Sequence, residues 1–171
     1  MDFVKRIFNA TKLVQETADT YLLPPVEIAP TDKNIVLSQS LFKSTHGYLE
    51  NIVYEINTCY ENTCYDACSV MIRRLIEILI IETYENNHIS PKIKNPSGDF
   101  FSLDDLVNSC LSESTWNLSR TTKRGLKNLK TLGDLSAHSR GYNTNRNDLD
   151  KVNADLRVTA EELLYLYGLR K

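Results

Sequence analysis

The chain has 171 residues, 42% hydrophobic and 25% charged, with 22 acidic and 20 basic side chains for a net charge of -2. These values are ordinary for a soluble globular protein and fit one domain long enough to bury a core without metal or disulfide. No apolar run approaches the roughly 20 residues that span a bilayer, Met1-Asp2-Phe3-Val4-Lys5-Arg6 lacks a signal peptide's apolar segment, and Asp2 breaks the myristoylation pattern; no membrane partner and a cytoplasmic location are expected.

Six helical segments read in chain order and no stretch alternates with period two, which predicts an all-α bundle of five to six helices. The first helix runs from about Asp2 to Thr17 and is closed by Pro24-Pro25. With the linker after it, this helix makes an N-terminal extension over 1–40, ahead of a helical domain over 41–171. A second helix runs from Leu37 or Thr45 to Tyr60, with Leu49, Ile52, Val53, Ile56 and Cys59 on one face. Asn62 or Thr63 caps a third, extending to about Asn86. It is apolar nearly all round (Ala67, Val70, Met71, Leu75, Ile76, Ile78, Leu79, Ile80, Ile81), which places it at the centre of the bundle. Charges on such a helix need partners, so Arg73, Arg74 and Glu77 are read as a structural ion-pair group, one arginine reaching Glu77 or Asp134.

Ser90 to Gly98, with Pro91 and Pro96, is the longest loop. Ser102-Leu-Asp-Asp105 resembles a capping box and opens a short fourth helix to Leu111. Ser114 or Thr115 starts the fifth. Gly141 to Asn145 is a turn, and Asn145 caps a sixth helix from Arg146 to about Tyr167, where Gly168 ends it. Cys64 and Cys68 share a helical face, yet no further ligand follows at zinc spacing. Cys59, Cys64, Cys68 and Cys110 therefore read as buried free thiols, and no metal site is expected. No Gly-rich phosphate loop or Ser/His/Asp arrangement is present either, so no cofactor is expected.

The charge is unevenly distributed. Arg120 to Arg146 holds seven bases and one acid, a local charge of +6, which leaves -8 for the rest of the chain. At about 100° per residue, Leu118, Leu126, Leu129, Leu132 and Ser136 fall on one side of the fifth helix together with Gly125 and Gly133. Arg120, Lys123, Arg124, Lys127 and Lys130 cluster on the other side, and an unbroken helix adds Asp134 and His138 to it. Such a face is either simply solvated or a phosphate-binding surface; the scarcity of acids and the terminal histidine favour phosphate. Asp134, one turn before His138, is placed to hold the ring, in a structural or an acid–base role.

Two segments carry a family resemblance. Tyr65-Asp-Ala-Cys-Ser-Val-Met-Ile-Arg-Arg-Leu-Ile-Glu77 is similar to the central helix of the HEPN superfamily, and Gly133-Asp-Leu-Ser-Ala-His138 resembles the Gly-Asn-x-x-Ala-His signature of one branch, classed as a domain of unknown function. The abortive-infection C-terminal domains are a close second match. The resemblance covers roughly Tyr60 to Leu169 and implies a HEPN-like bundle, found in bacterial toxin–antitoxin and phage-defence systems. Catalytic members are metal-independent RNases that act as homodimers, with an arginine and a histidine in a shared cleft. By that analogy His138 would move a proton and an arginine would stabilise the phosphorane. Here Gly133 occupies the arginine position, leaving Lys130 or Arg140 as substitutes.

The expectation is a non-catalytic module of a bacterial or phage conflict system. It would bind RNA, a nucleotide, or a protein effector or antitoxin through Arg120, Lys123, Arg124, Lys127, Lys130 and Arg140. The alternative is a metal-independent RNase toxin using His138 and Asp134 with a substitute cation.

Overall fold

A computed structural model describes residues 35–43 and 45–168. The first predicted helix lies outside these residues. Among them are five α-helices and no strand: α1 (Gly47–Glu61), α2 (Tyr65–Asn86), α3 (Leu103–Ser112), α4 (Arg120–His138) and α5 (Arg146–Leu166). Short 3₁₀ turns at Gln39–Leu41 and Ser90–Ile93 lead into α1 and α3. The protein is an all-α bundle. No described helix is long and apolar enough to cross a membrane.

α2 is the hub and packs against each of the other four helices. Cys68, Ile72, Leu75, Ile76, Leu79 and Ile80 recur at helical spacing and are buried. They meet Leu49, Ile52, Val53 and Ile56 of α1, Leu126 and Leu129 of α4, and Leu156 and Leu163 of α5 in one continuous core. The helix is not covered all round, as its composition suggested. Ala67 and Arg74 are exposed and Val70 is 38% exposed, because α1 and α4 flank α2 on two sides and no other described helix covers its outer face.

Several helix boundaries differ from the sequence reading for local reasons. α1 begins at Gly47, not at Leu37 or Thr45, with His46 preceding it. Neither Asn62 nor Thr63 caps α2; Thr63 takes a left-handed φ of 61° and turns the chain, and the helix begins after Cys64. α4 does not start near Ser114. Glu113 accepts bonds from Thr115 N and Thr115 Oγ1, at 3.0 and 2.7 Å, and Trp116 Nε1 donates to the Cys110 carbonyl. These contacts hold the chain out of helix until Ser119. The box at Asn145–Asp148 forms, and Gly168 ends the last helix with φ 91°. At Ser102 only half of the expected box is made, because Ser102 Oγ accepts from Asp105 N and the Asp105 carboxylate takes the Ser102 hydroxyl instead of the Ser102 backbone N–H. Of the cysteines, Cys68 and Cys110 are buried free thiols as expected, Cys59 is half-buried, and Cys64 is exposed.

The chain ahead of α1 is held by a buried amide and by Arg157 of α5, whose Nε and Nη2 donate to the Val36 and Ile35 carbonyls at 3.0 and 2.9 Å. Asn57 Oδ1 accepts from Val36 N and Leu37 N, at 2.8 and 3.0 Å, while its Nδ2 donates to Leu37 O at 2.8 Å. Asn57 imitates a strand edge and seats Val36, Leu37 and Phe42 in the core. Replacing it with alanine would leave three backbone groups short of partners. Asn57→Ala is expected to lose about 2–4 kcal/mol in urea unfolding; a loss below about 0.5 kcal/mol would mean that the amide is not the anchor.

Candidate functional site

α4 is fixed at its start by a carboxylate from α5. Glu162 accepts from Ser119 N and Ser119 Oγ at 2.7 Å and from Thr122 Oγ1 at 2.5 Å, while Ser119 Oγ caps Thr122 N at 3.1 Å. Burial pushes the Glu162 carboxyl up, but the hydrogen bonds from Thr122 and Ser119 outweigh it and hold the group below its ordinary value. A negative charge at a helix N-terminus is also favoured by the helix dipole.

Two glycines on the inner face bring α4 close to its neighbours. Gly125 lies against Asp155 and Thr159 of α5, with no room for a side chain. At Gly133 an added Cβ would stand 2.5 Å from Arg73 Cβ and 3.0 Å from its Cγ and Cδ. The Arg73 side chain of α2 thus crosses the surface where a larger residue on α4 would sit. Its Nε reaches Asp134 Oδ1 at 2.8 Å, and its Nη1 lies 3.7 Å from Glu77. Of the predicted ion-pair group, Arg73 therefore contacts both Glu77 and Asp134, whereas Arg74 is exposed and makes no salt bridge among the described residues.

The predicted cations separate into two sets. Arg120, Lys123 and Lys127 stand exposed on one side of α4, with no salt bridge among the described residues. Arg140, in the turn after the helix, is exposed as well. The other two are engaged. Arg124 turns onto Asp155 of α5, Nη2 to Oδ1 at 2.6 Å and Nε to Oδ2 at 3.3 Å, with Asn128 adding a third bond. The Arg124 hydrogen bond keeps the Asp155 carboxyl below the usual range in spite of its burial. Lys130 lies 2.7 Å from Asp104 Oδ1 of α3 and 3.1 Å from Asp134 Oδ2.

Both oxygens of Asp134 are therefore taken by cations, and the carboxylate does not bond the His138 ring. Burial raises the Asp134 carboxyl, and the bonds from Arg73 and Lys130 overcome that effect and lower it. His138 ends α4 with its side chain exposed.

These groups border a cleft of about 580 Å³ between α2, α3 and α4. Its walls include Arg73, Leu103, Asp104, Lys130, Thr131, Asp134, Leu135 and His138. The C-terminal half of α4 thus faces a cleft of mixed polarity, and the N-terminal half presents a free cationic surface. Sequence reasoning missed Asp104 and Asp155. Asp104 stands beside the capping residue Asp105 in the first turn of α3, and nothing local distinguishes the two as the residue that reaches Lys130. Among the described residues no His/Cys/Asp/Glu group is arranged to hold a metal ion. No protein-family model, curated protein or solved structure matches the chain.

The Gly133 contact has a measurable consequence. Alanine at an ordinary helix position gains up to about 1 kcal/mol over glycine. At 133 its Cβ would strike the root of the Arg73 side chain, and overpacking of this kind costs about 1–3 kcal/mol. Gly133→Ala is expected to lose a net ~1–2 kcal/mol in urea unfolding; equal or greater stability would show that α2 and α4 are not in close contact there.

Proposed function

We propose that this protein is a HEPN-like module of a bacterial or phage conflict system that binds single-stranded RNA along α4, without cutting it. The observation that carries the reading is the unpaired set Arg120, Lys123 and Lys127, spaced along one exposed face and leading into the cleft beside His138. Residues three and four apart on a helix stand one above another, so the three cations form a ladder that a phosphate chain can follow. The family resemblance of the α2 and α4 segments supports the same reading. It further supports a cytoplasmic homodimer that also contacts a protein effector or antitoxin.

Binding without cleavage is favoured by the residues around His138. Gly133 removes the arginine that the resemblance leads one to expect. Arg73, which crosses over that glycine, is tied to Asp134 and Glu77, and Asp134 does not orient the imidazole. The RNase alternative, His138 with a substitute cation, is supported by one observation: Lys130 and Arg73 border the same cleft as His138, which Arg140 does not.

Removing three charges separates these readings. The Arg120→Gln/Lys123→Gln/Lys127→Gln variant is expected to bind single-stranded RNA at least about tenfold more weakly at low salt, with a log–log salt slope shallower by about 2. The RNA is expected to be recovered intact from the wild-type protein. Unchanged binding in the variant would overturn the nucleic-acid reading in favour of a protein partner. Cut RNA, with cutting abolished by His138→Ala, would establish the RNase alternative.

A further inference from the structure

We infer that the cleft between α2, α3 and α4 is a recognition site for one unpaired nucleobase, with guanine preferred. The inference rests on the RNA reading above and assigns the cleft a role distinct from that of the cationic ladder. The first argument is charge. Arg73 and Lys130 are neutralised by Asp134 and Asp104, with Glu77 also 3.7 Å from Arg73, so the two cations of the cleft are fully matched by carboxylates. A phosphate entering here would meet both carboxylates. A ligand without net charge would not, provided that it offers donors and acceptors together.

The second argument is shape and polarity. The cleft holds about 580 Å³, and its accessible apolar wall is Leu135, 40% exposed on an otherwise polar helix face, while Leu103 behind the rim is buried in the core. A planar ring has apolar faces to lie against leucine and imidazole, and a polar edge to present to the charged side chains. Guanine fits that edge best. Its N1–H and N2–H₂ are adjacent donors that a carboxylate accepts as a pair, and O6 and N7 are acceptors for lysine or arginine. Adenine, cytosine and uracil lack the adjacent donor pair. The Asp104 side chain is 62% exposed, so its carboxylate is accessible while one oxygen holds Lys130.

The third argument is position. Thr131, on the cleft wall, lies one helical turn beyond Lys127, and its Oγ1 bonds the Lys127 carbonyl at 2.8 Å. One turn is about 5.4 Å, close to the spacing of successive nucleotides in an extended strand. A backbone tracking Arg120, Lys123 and Lys127 would therefore deliver its next base to the mouth of the cleft.

The test uses guanosine, adenosine, cytidine and uridine 5′-monophosphates in calorimetry, and two oligouridines, one carrying a single central guanine. The guanine nucleotide, and the guanine-bearing strand, are expected to bind about tenfold tighter than their counterparts, the scale of one hydrogen bond to a charged group. Thr131→Trp, which fills the mouth, and Asp104→Asn, which removes the accepting carboxylate, should each erase that preference. Binding of plain oligouridine should stay within about twofold, because the ladder is intact. Circular dichroism and urea unfolding verify that both variants fold. Equal binding of all four nucleotides overturns the inference, as does a guanine preference that survives in either folded variant. If plain oligouridine fails to bind while the guanine preference holds, the ladder reading fails and the base site stands.

Discussion

The crossing of α2 over α4 at Gly133 determines how the rest of the molecule is arranged. The missing Cβ lets the aliphatic stem of Arg73 lie directly on the α4 backbone, and the guanidinium then finds Asp134 on the next residue of that helix. Lys130, one turn earlier, shares the same carboxylate and reaches out to Asp104 of α3. Three helices are thus connected through one short chain of alternating charges. Their separation at this point is what leaves the cleft open. A larger residue at 133 would drive α2 away, break the chain and alter the angle at which α4 presents its outer face.

The same helix handles its basic residues in two ways, and the division has a simple cause. Side chains at the edges of the exposed face lie within reach of neighbouring helices that carry acids: Arg124 finds Asp155 on α5, and Lys130 finds Asp104 on α3. Those along the middle, Arg120, Lys123 and Lys127, are exposed and make no salt bridge among the described residues, although Lys123 is close enough to Glu162 to help lower its carboxyl. Such solvent-screened pairs contribute little to stability. Their larger effect is electrostatic. The Lys130 pairs leave the C-terminal half of α4 close to neutral, and the Arg124–Asp155 pair offsets one of the four cations of the N-terminal half, so that Arg120, Lys123 and Lys127 carry the charge left without a salt bridge.

Much of this was legible in the sequence. The leucines at 118, 126, 129 and 132 mark the buried side of α4, and the glycines at 125 and 133 on that same side announce close approach. Periodicity identifies the five described helices because each buries one stripe. What escaped the sequence involves competition or distance. Ser114 and Thr115 look like helix caps, but the Glu113 carboxylate captures Thr115 first, and the cap is made at Ser119 by Glu162, 43 residues away. Asp104 and Asp155 carry no local signal, because their partners lie 26 and 31 residues off. The outer face of α2 seemed buried because a helix rich in isoleucine is normally surrounded; here Arg74 and Val70 mark the side that no described helix covers.

The central claim, that nucleic acid lies along the outer face of α4, is open to a direct measurement. Amide chemical shifts recorded by NMR while a mixed-sequence single-stranded RNA is titrated into the protein would locate the contact residue by residue. Changes concentrated over residues 120–138, with a second group at 102–104 on the opposite wall of the cleft, are the predicted result. Changes confined to the open side of α2 around Ala67, Val70 and Arg74, or the absence of any change at saturating RNA, would contradict it.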